Sequence, residues 1–122
     1  MNGTDATNLV AGGCRLVSEG ANMPVTPEGQ DILQEKGVLY APGKAANAGG
    51  VAVSALEMAQ ASSRTFWTRE EVDRRLHGIM KDIHRNCLEA AEAYGRPGNY
   101  MDGANIAGFL KVAKAMQDQG VV

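Results

Sequence analysis

Leu39-Tyr40-Ala41-Pro42-Gly43-Lys44-Ala45-Ala46-Asn47-Ala48-Gly49-Gly50-Val51-Ala52-Val53-Ser54 reads as the end of a strand, a tight turn and the opening of a helix. Val38, Leu39 and Tyr40 are β-formers. Pro42-Gly43 is a turn dipeptide, and Pro42 steers Ala41 away from helical geometry. Beyond Lys44 the composition becomes Ala- and Val-rich and helical, through Leu56, Met58 and Ala59. Strand, loop at Pro42–Lys44, then helix from about Ala46 to Ser63 or Arg64 is the prediction. Gly49 and Gly50 each cost roughly 1 kcal/mol in a helix relative to Ala. Two readings account for them: close packing of another helix, or close approach of a ligand to the backbone. A helix N-terminus carries free N–H groups and positive potential, which suits a carboxylate or a phosphate. The stretch is not a P-loop, because Ala45 stands where the Mg²⁺-binding hydroxyl belongs and Val38 where the first Gly belongs.

Upstream, Cys14-Arg15-Leu16-Val17 reads as a short buried strand, and Ser18-Glu19-Gly20-Ala21-Asn22 as the turn leaving it. Open parallel sheets collect ligands outside the carboxyl ends of their strands, which is where Asn22 falls. Asn22 serves equally well as a turn residue bonding its own backbone. Thr26 is the N-cap of a second helix, Pro27 suits its first position, and Gly37 stops it. Strand, helix and strand in about 25 residues make one βαβ crossover. Two short strands cannot form a stable open sheet alone, so neighbouring strands are missing from this chain. Met1 to Gly13 has no firm pattern beyond a helix end at Leu9–Ala11, stopped by Gly12-Gly13. It is expected to be the least ordered segment.

Downstream, Val51, Ala55, Met58 and Ala59 share one stripe of the central helix, with Leu56 adjoining. Ser54 lies one turn beyond Val51 on nearly the same face. A Ser inside a helix also bonds its own backbone. Phe66-Trp67 reads as an exposed pair. Thr68 and Glu71 form a capping box. Val72, Leu76, Ile79, Ile83, Cys87, Ala90 and Tyr94 then mark a helix of about 27 residues, about 40 Å long. Gly95 and Pro97 end it. A last helix runs from the Asn99–Asp102 region to about Gln119, with Ile106, Phe109, Leu110, Ala113 and Met116 as its stripe. Gly103 and Gly108 would admit a neighbouring helix, and Asn105 suits an interhelical hydrogen bond or a ligand. His77 and His84 stand seven apart, too far for one metal, so no metal site is expected.

Composition removes several classes. Hydrophobic residues make 44%, charged residues 21%, and the net charge is -2. No basic stripe supports nucleic-acid binding. No apolar run is long enough to cross a membrane, and no signal peptide opens the chain. Cys14 and Cys87 read as buried free thiols in a reducing cytoplasm.

Four blocks resemble one family in its own order. They are Ser18-Glu-Gly-Ala-Asn-Met-Pro24 and Ala41-Pro-Gly-Lys-Ala-Ala-Asn-Ala-Gly-Gly-Val51 with Ser54-Ala-Leu-Glu-Met-Ala-Gln60. Glu71-Val-Asp-Arg-Arg-Leu-His77 with Ile79-Met-Lys-Asp-Ile-His84, and Gly103-Ala-Asn-Ile-Ala-Gly-Phe109, complete the set. The chain resembles the C-terminal part of a hexameric glutamate dehydrogenase of the short bacterial and fungal type, within the Glu/Leu/Phe/Val dehydrogenase superfamily. Leu56-Glu57-Met58 and the Gly103–Phe109 block resemble glutamate enzymes more than leucine-type ones.

The resemblance implies an α/β, mostly helical chain: the terminal βαβ piece of a Rossmann-like dinucleotide-binding domain, then three C-terminal helices. Residues 1–43 would end the cofactor-binding domain, and residues 44–122 would return toward the substrate domain. It implies reversible oxidative deamination of L-glutamate to 2-oxoglutarate and ammonia with NADP, or else NAD, by a cytoplasmic homo-oligomer. Asn22 and Asn47 would face the cofactor, and Val51 and Ser54 the substrate carboxylate. The family's catalytic Lys and Asp and the G-x-G-x-x-G fingerprint have no counterpart here, so no catalytic residue, no tightly held cofactor and no turnover are expected of the chain alone. A free-standing helical self-association module, or part of another amino-acid dehydrogenase of the superfamily, are the alternatives.

Overall fold

Residues 1–120 are described by the structure, a computed structural model. The order is α1 (Gly3–Ala11), β1 (Leu16–Ser18), α2 (Pro27–Glu35), β2 (Leu39–Ala41), α3 (Gly43–Ala46), α4 (Ala48–Ser63), α5 (Arg69–Ala93) and α6 (Tyr100–Gln119). The strands pair in parallel, with Leu16 opposite Leu39, Val17 opposite Tyr40 and Ser18 opposite Ala41. The βαβ unit and the three long helices behind it match the fold class read from sequence.

Local chemistry explains the crossover. The Thr26 hydroxyl accepts from the Gly29 N–H at 3.3 Å, and Pro27 fills the first helical position. Gly37 takes φ +70°, which turns the chain from α2 straight into β2. Leu33, Val25, Val38, Tyr40 and Ala6 form the core on one sheet face. Burying Leu33 completely is worth about 1.5–3 kcal/mol. Leu16 and Leu39 alternate to the other face and stay 58% and 59% exposed. The buried strand read at Cys14–Val17 is therefore corrected: it begins at Leu16, and only one face of the pair is covered. Cys14 is half-buried, whereas Cys87 is buried as expected.

The N-terminal reading also changes. Asn2 and Asp5 close a reciprocal capping box on α1, with bonds of 3.0 and 2.9 Å. The helix packs on α2 and buries Ala6 completely. Its partner is the crossover helix itself, so the segment does not lack packing.

Thr68 caps α5 by accepting from the Glu71 N–H, but the Glu71 carboxylate bonds Arg74 and Arg75 instead of closing the box. Val72, Leu76, Ile79, Ile83, Cys87 and Ala90 face the neighbouring helices, while Tyr94, the C-cap, is 57% exposed. Arg75 lies 4.1 Å over the half-buried Trp67 ring, and Phe66 is bare. α6 crosses α5 at Gly103, where an added Cβ would sit 2.0 Å from the Cys87 carbonyl oxygen. A Cβ added at Gly108 meets nothing within 4 Å, so its expected close approach is absent among the described residues.

The stripe of α4 points the other way from the sequence reading, and that of α6 is right only in part. On α4, Ala52, Val53, Leu56 and Gln60 turn inward; Val51, Ala55, Met58 and Ala59 are exposed. On α6, Ile106 and Ala113 turn inward, while Phe109, Leu110 and Met116 are exposed. Both helices are apolar around most of their circumference, so periodicity does not choose a face.

Gly103→Ala should lower stability by about 3 kcal/mol, the upper end of overpacking costs. Gly108→Ala should raise it by about 1 kcal/mol, because only helix propensity changes there. Denaturant midpoints of the two variants check both signs. Tyr100 stacks beside His84, with ring centroids 5.3 Å apart. Burial, then the neighbouring Cys87, push its phenol from 10.0 up to about 12. The folded state thus holds this proton more tightly than the unfolded chain. Its contribution is complete below pH 10 and is lost between pH 10 and about 12. Thermal midpoints across that window should fall less steeply in Tyr100→Phe.

Candidate functional site

At the carboxyl ends of β1 and β2 the chain leaves the sheet by two connections, residues 19–26 and Pro42. Between them lies a cleft of about 640 Å³. Asn22, Met23, Val25 and Gln30 line one wall; Gly43, Lys44, Asn47 and Met101 line the other. The lining thus combines carboxamides, one amine and an apolar flank.

The second connection is shorter than the predicted loop. Pro42 is the N-cap, and Gly43 and Lys44 are already helical in α3. Asn47 breaks the helix, and α4 starts at Ala48 with no side-chain cap. Lys44 Nζ donates to the Asn105 side-chain oxygen, so Asn105 makes the interhelical hydrogen bond, between α3 and α6, that was one of its two sequence readings.

Glu19 holds the two connections together, and the sequence reading passed over it. It is the buried charged side chain of the core, only 5% exposed. One carboxylate oxygen accepts from the Tyr40 hydroxyl, the other from the Gly43 N–H at 2.5 Å. The Glu19 N–H continues the ladder by donating to Ala41 O at 3.0 Å. Asn47 Nδ2 donates to Ala21 O at 3.0 Å, a second tie. A Cβ on Gly43 would stand 2.7 Å from the same Ala21 oxygen, so only Gly fits there. Burial, then the Glu19 carboxylate, push the Tyr40 phenol well above its ordinary range. An acidic residue just past a strand, two residues beyond the Val17 that pairs with Tyr40 and so on the same face, was the available signal.

The four candidate residues split into two pairs. Asn22 and Asn47 meet at the cleft, and one N–H of Asn47 is spent on holding the walls. Val51 and Ser54 lie outside it, on the exposed face of α4. Ser54 Oγ donates to Gly50 O at 3.3 Å, the local bond that a helical Ser makes. Gly49 lies in ordinary contact with Leu76 and Met80 at 3.6 Å, and Gly50 has open space beside it. Neither Gly is demanded by helix packing within the described residues.

A parallel βαβ unit that opens such a cleft at its strand ends is a piece of a Rossmann-like dinucleotide-binding fold. The chain belongs to the Glutamate/Leucine/Phenylalanine/Valine dehydrogenase family, whose profile matches residues 1–120. It is 57% identical over 122 residues to a glutamate dehydrogenase of Bacteroides thetaiotaomicron, covering all of this chain and 28% of that protein. It is 58% identical over 117 residues to the NADP-specific glutamate dehydrogenase of Escherichia coli K12, covering 96% of this chain and 26% of that one. A crystal structure of Plasmodium falciparum glutamate dehydrogenase superposes with a TM-score of 0.96 at 46% identity, across 100% of this chain and 26% of its own. The chain thus spans about a quarter of the length of these relatives.

Gly43→Ala should force the two connections apart and destabilise the chain by about 1–3 kcal/mol. Gly50→Ala, in open space, should not destabilise it. Thermal unfolding of the two variants checks the contrast.

Proposed function

We propose that this chain is the C-terminal part of a dehydrogenase that converts L-glutamate reversibly to 2-oxoglutarate and ammonia with NADP. The observation that carries the reading is the cleft at the strand ends, lined by Asn22 and Asn47, in a chain more than half identical to glutamate dehydrogenases along its length. Residues 1–43 complete the cofactor-binding domain, and residues 44–122 lead back toward a substrate domain.

When bound, NADP supplies the hydride acceptor. This chain's own residues bind and orient. The Asn22 and Asn47 carboxamides hydrogen-bond the cofactor, and Lys44 places positive charge at the same mouth. The uncapped N-terminus of α4 and the exposed Val51 and Ser54 receive the carboxylate end of glutamate. In that pose Ser54 exchanges its local bond to Gly50 for the substrate. α5, 25 residues long, is the strut that joins the two lobes. Proton transfer falls to groups outside this chain.

The protein works as a cytoplasmic homo-oligomer. Bare Phe66, Phe109 and Met58, 98%, 70% and 71% exposed, support surfaces built to be covered. This chain by itself should self-associate in sedimentation at high concentration. A strictly monomeric profile would contradict that.

Kinetics of the full-length protein test the assignment. Ser54→Leu should lower kcat/KM for glutamate by roughly ten- to a hundred-fold, with little change in the NADP KM. Asn22→Ala should raise the NADP KM first. The 122-residue chain serves as blank and should turn over nothing. Unchanged glutamate kinetics in Ser54→Leu would remove the pocket assignment.

A further inference from the structure

Resting on that reading, we infer that Glu19 is the positioning residue for the cofactor side of the cleft. It sets the spacing of the two walls from the floor of the cleft, with both carboxylate oxygens engaged by Tyr40 and Gly43.

The chemistry of its surroundings is unusual. A buried carboxylate is normally matched by a cation. Glu19 forms no salt bridge among the described residues; its bonds go to one hydroxyl and one backbone N–H. The Gly43 N–H is a donor that cannot reverse. It stands at the first residue of α3, immediately before the Lys44–Asn47 wall. Whatever occupies position 19 must therefore present an acceptor there, at the reach of a Glu side chain. The Tyr40 hydroxyl is different, because it can donate or accept. A Gln at this position keeps both bonds: its oxygen accepts from Gly43, and its amide donates to the Tyr40 oxygen. Asp is one methylene short and cannot span the same two partners. Ala leaves the Gly43 N–H without an acceptor.

The clasp also carries the other wall. Glu19 begins the loop that holds Ala21 and Asn22. The Ala21 carbonyl is pressed against Gly43 and bonded by Asn47. Releasing Glu19 therefore frees the register between Asn22 and Asn47, the two carboxamides offered to the cofactor. Val51 and Ser54 stand on α4, beyond the break at Asn47, and are not tied to Glu19. Cofactor binding should suffer where glutamate binding does not. Misplacing a binding group by about 1 Å costs up to roughly a hundred-fold.

The test uses the full-length protein and two readouts: fluorescence titration with NADPH, and steady-state kinetics with each substrate varied. Glu19→Ala should weaken NADPH binding and raise the NADP KM roughly ten-fold or more. The glutamate KM at saturating NADP should stay within about three-fold. Glu19→Gln should restore wild-type values within about three-fold. If Glu19→Ala does not fold, judged by circular dichroism, Glu19→Asp carries the same expectation. Equal loss toward both substrates, no loss in Glu19→Ala or Glu19→Asp, or Glu19→Gln as damaged as Glu19→Ala would each overturn the inference. A wild-type protein that binds no NADPH would instead remove the functional reading beneath it.

Discussion

Glu19 places a carboxylate where the chain has just left β1 and is about to leave β2, and much of the structure follows from that. Two strands of three residues have little holding power of their own. The bonds from Tyr40 and Gly43 extend the pairing past the last ladder residue and fix where α3 begins. Gly43 must be Gly because the clasp draws it against Ala21. α3 then aims Lys44 at Asn105, which joins the connection to α6. From there α6 is held on α5 by the contact at Gly103. A chain of short-range constraints thus runs from the end of β1 to the helical layer.

That layer answers to a different force. Its helices bury small residues and bring backbones close, as Gly103 and Ala91 do beside Cys87. Large apolar side chains such as Phe66, Phe109 and Met58 are left outside. Small buried residues contribute close contact more than transferred area. The exposed ones are the expense of such a layer when it is considered alone, and under the proposed function other parts of the dehydrogenase cover them.

Local signals carried much of this architecture in the sequence. Thr26-Pro27, Gly37, Pro42-Gly43, Thr68 and Gly95 each marked an element boundary within a residue or two, because caps and turns depend on neighbouring residues. The long stripe of α5 was legible for the same reason: its polar and apolar faces contrast. α4 and α6 lack that contrast: the inward face of α4 was misread, and that of α6 was read only at Ile106 and Ala113. Which side of a uniformly apolar helix turns inward is settled by the partner's shape, as at Gly103, and not by periodicity. The end of α1 at Leu9–Ala11, stopped by Gly12, was legible, but its start was not, because its cap, Asn2 with Asp5, precedes a weakly patterned run.

At the site, the resemblance supplied Asn22 and Asn47, and the structure sets both on one cleft. It does not bring Val51 and Ser54 to that cleft. Glu19 escaped notice because a lone acidic residue in a turn reads as solvated. Its burial depends on a Tyr from the other strand and an N–H from a third segment, all distant in sequence.

Under the proposed function, the walls formed by residues 19–26 and 42–47 receive the cofactor. An experimental structure of the full-length protein with NADP bound tests it most directly. NADP should lie between these walls, in hydrogen-bond contact with Asn22, with the Glu19–Gly43 bond intact behind it. NADP seated elsewhere, with this cleft filled by another part of the protein, would contradict it.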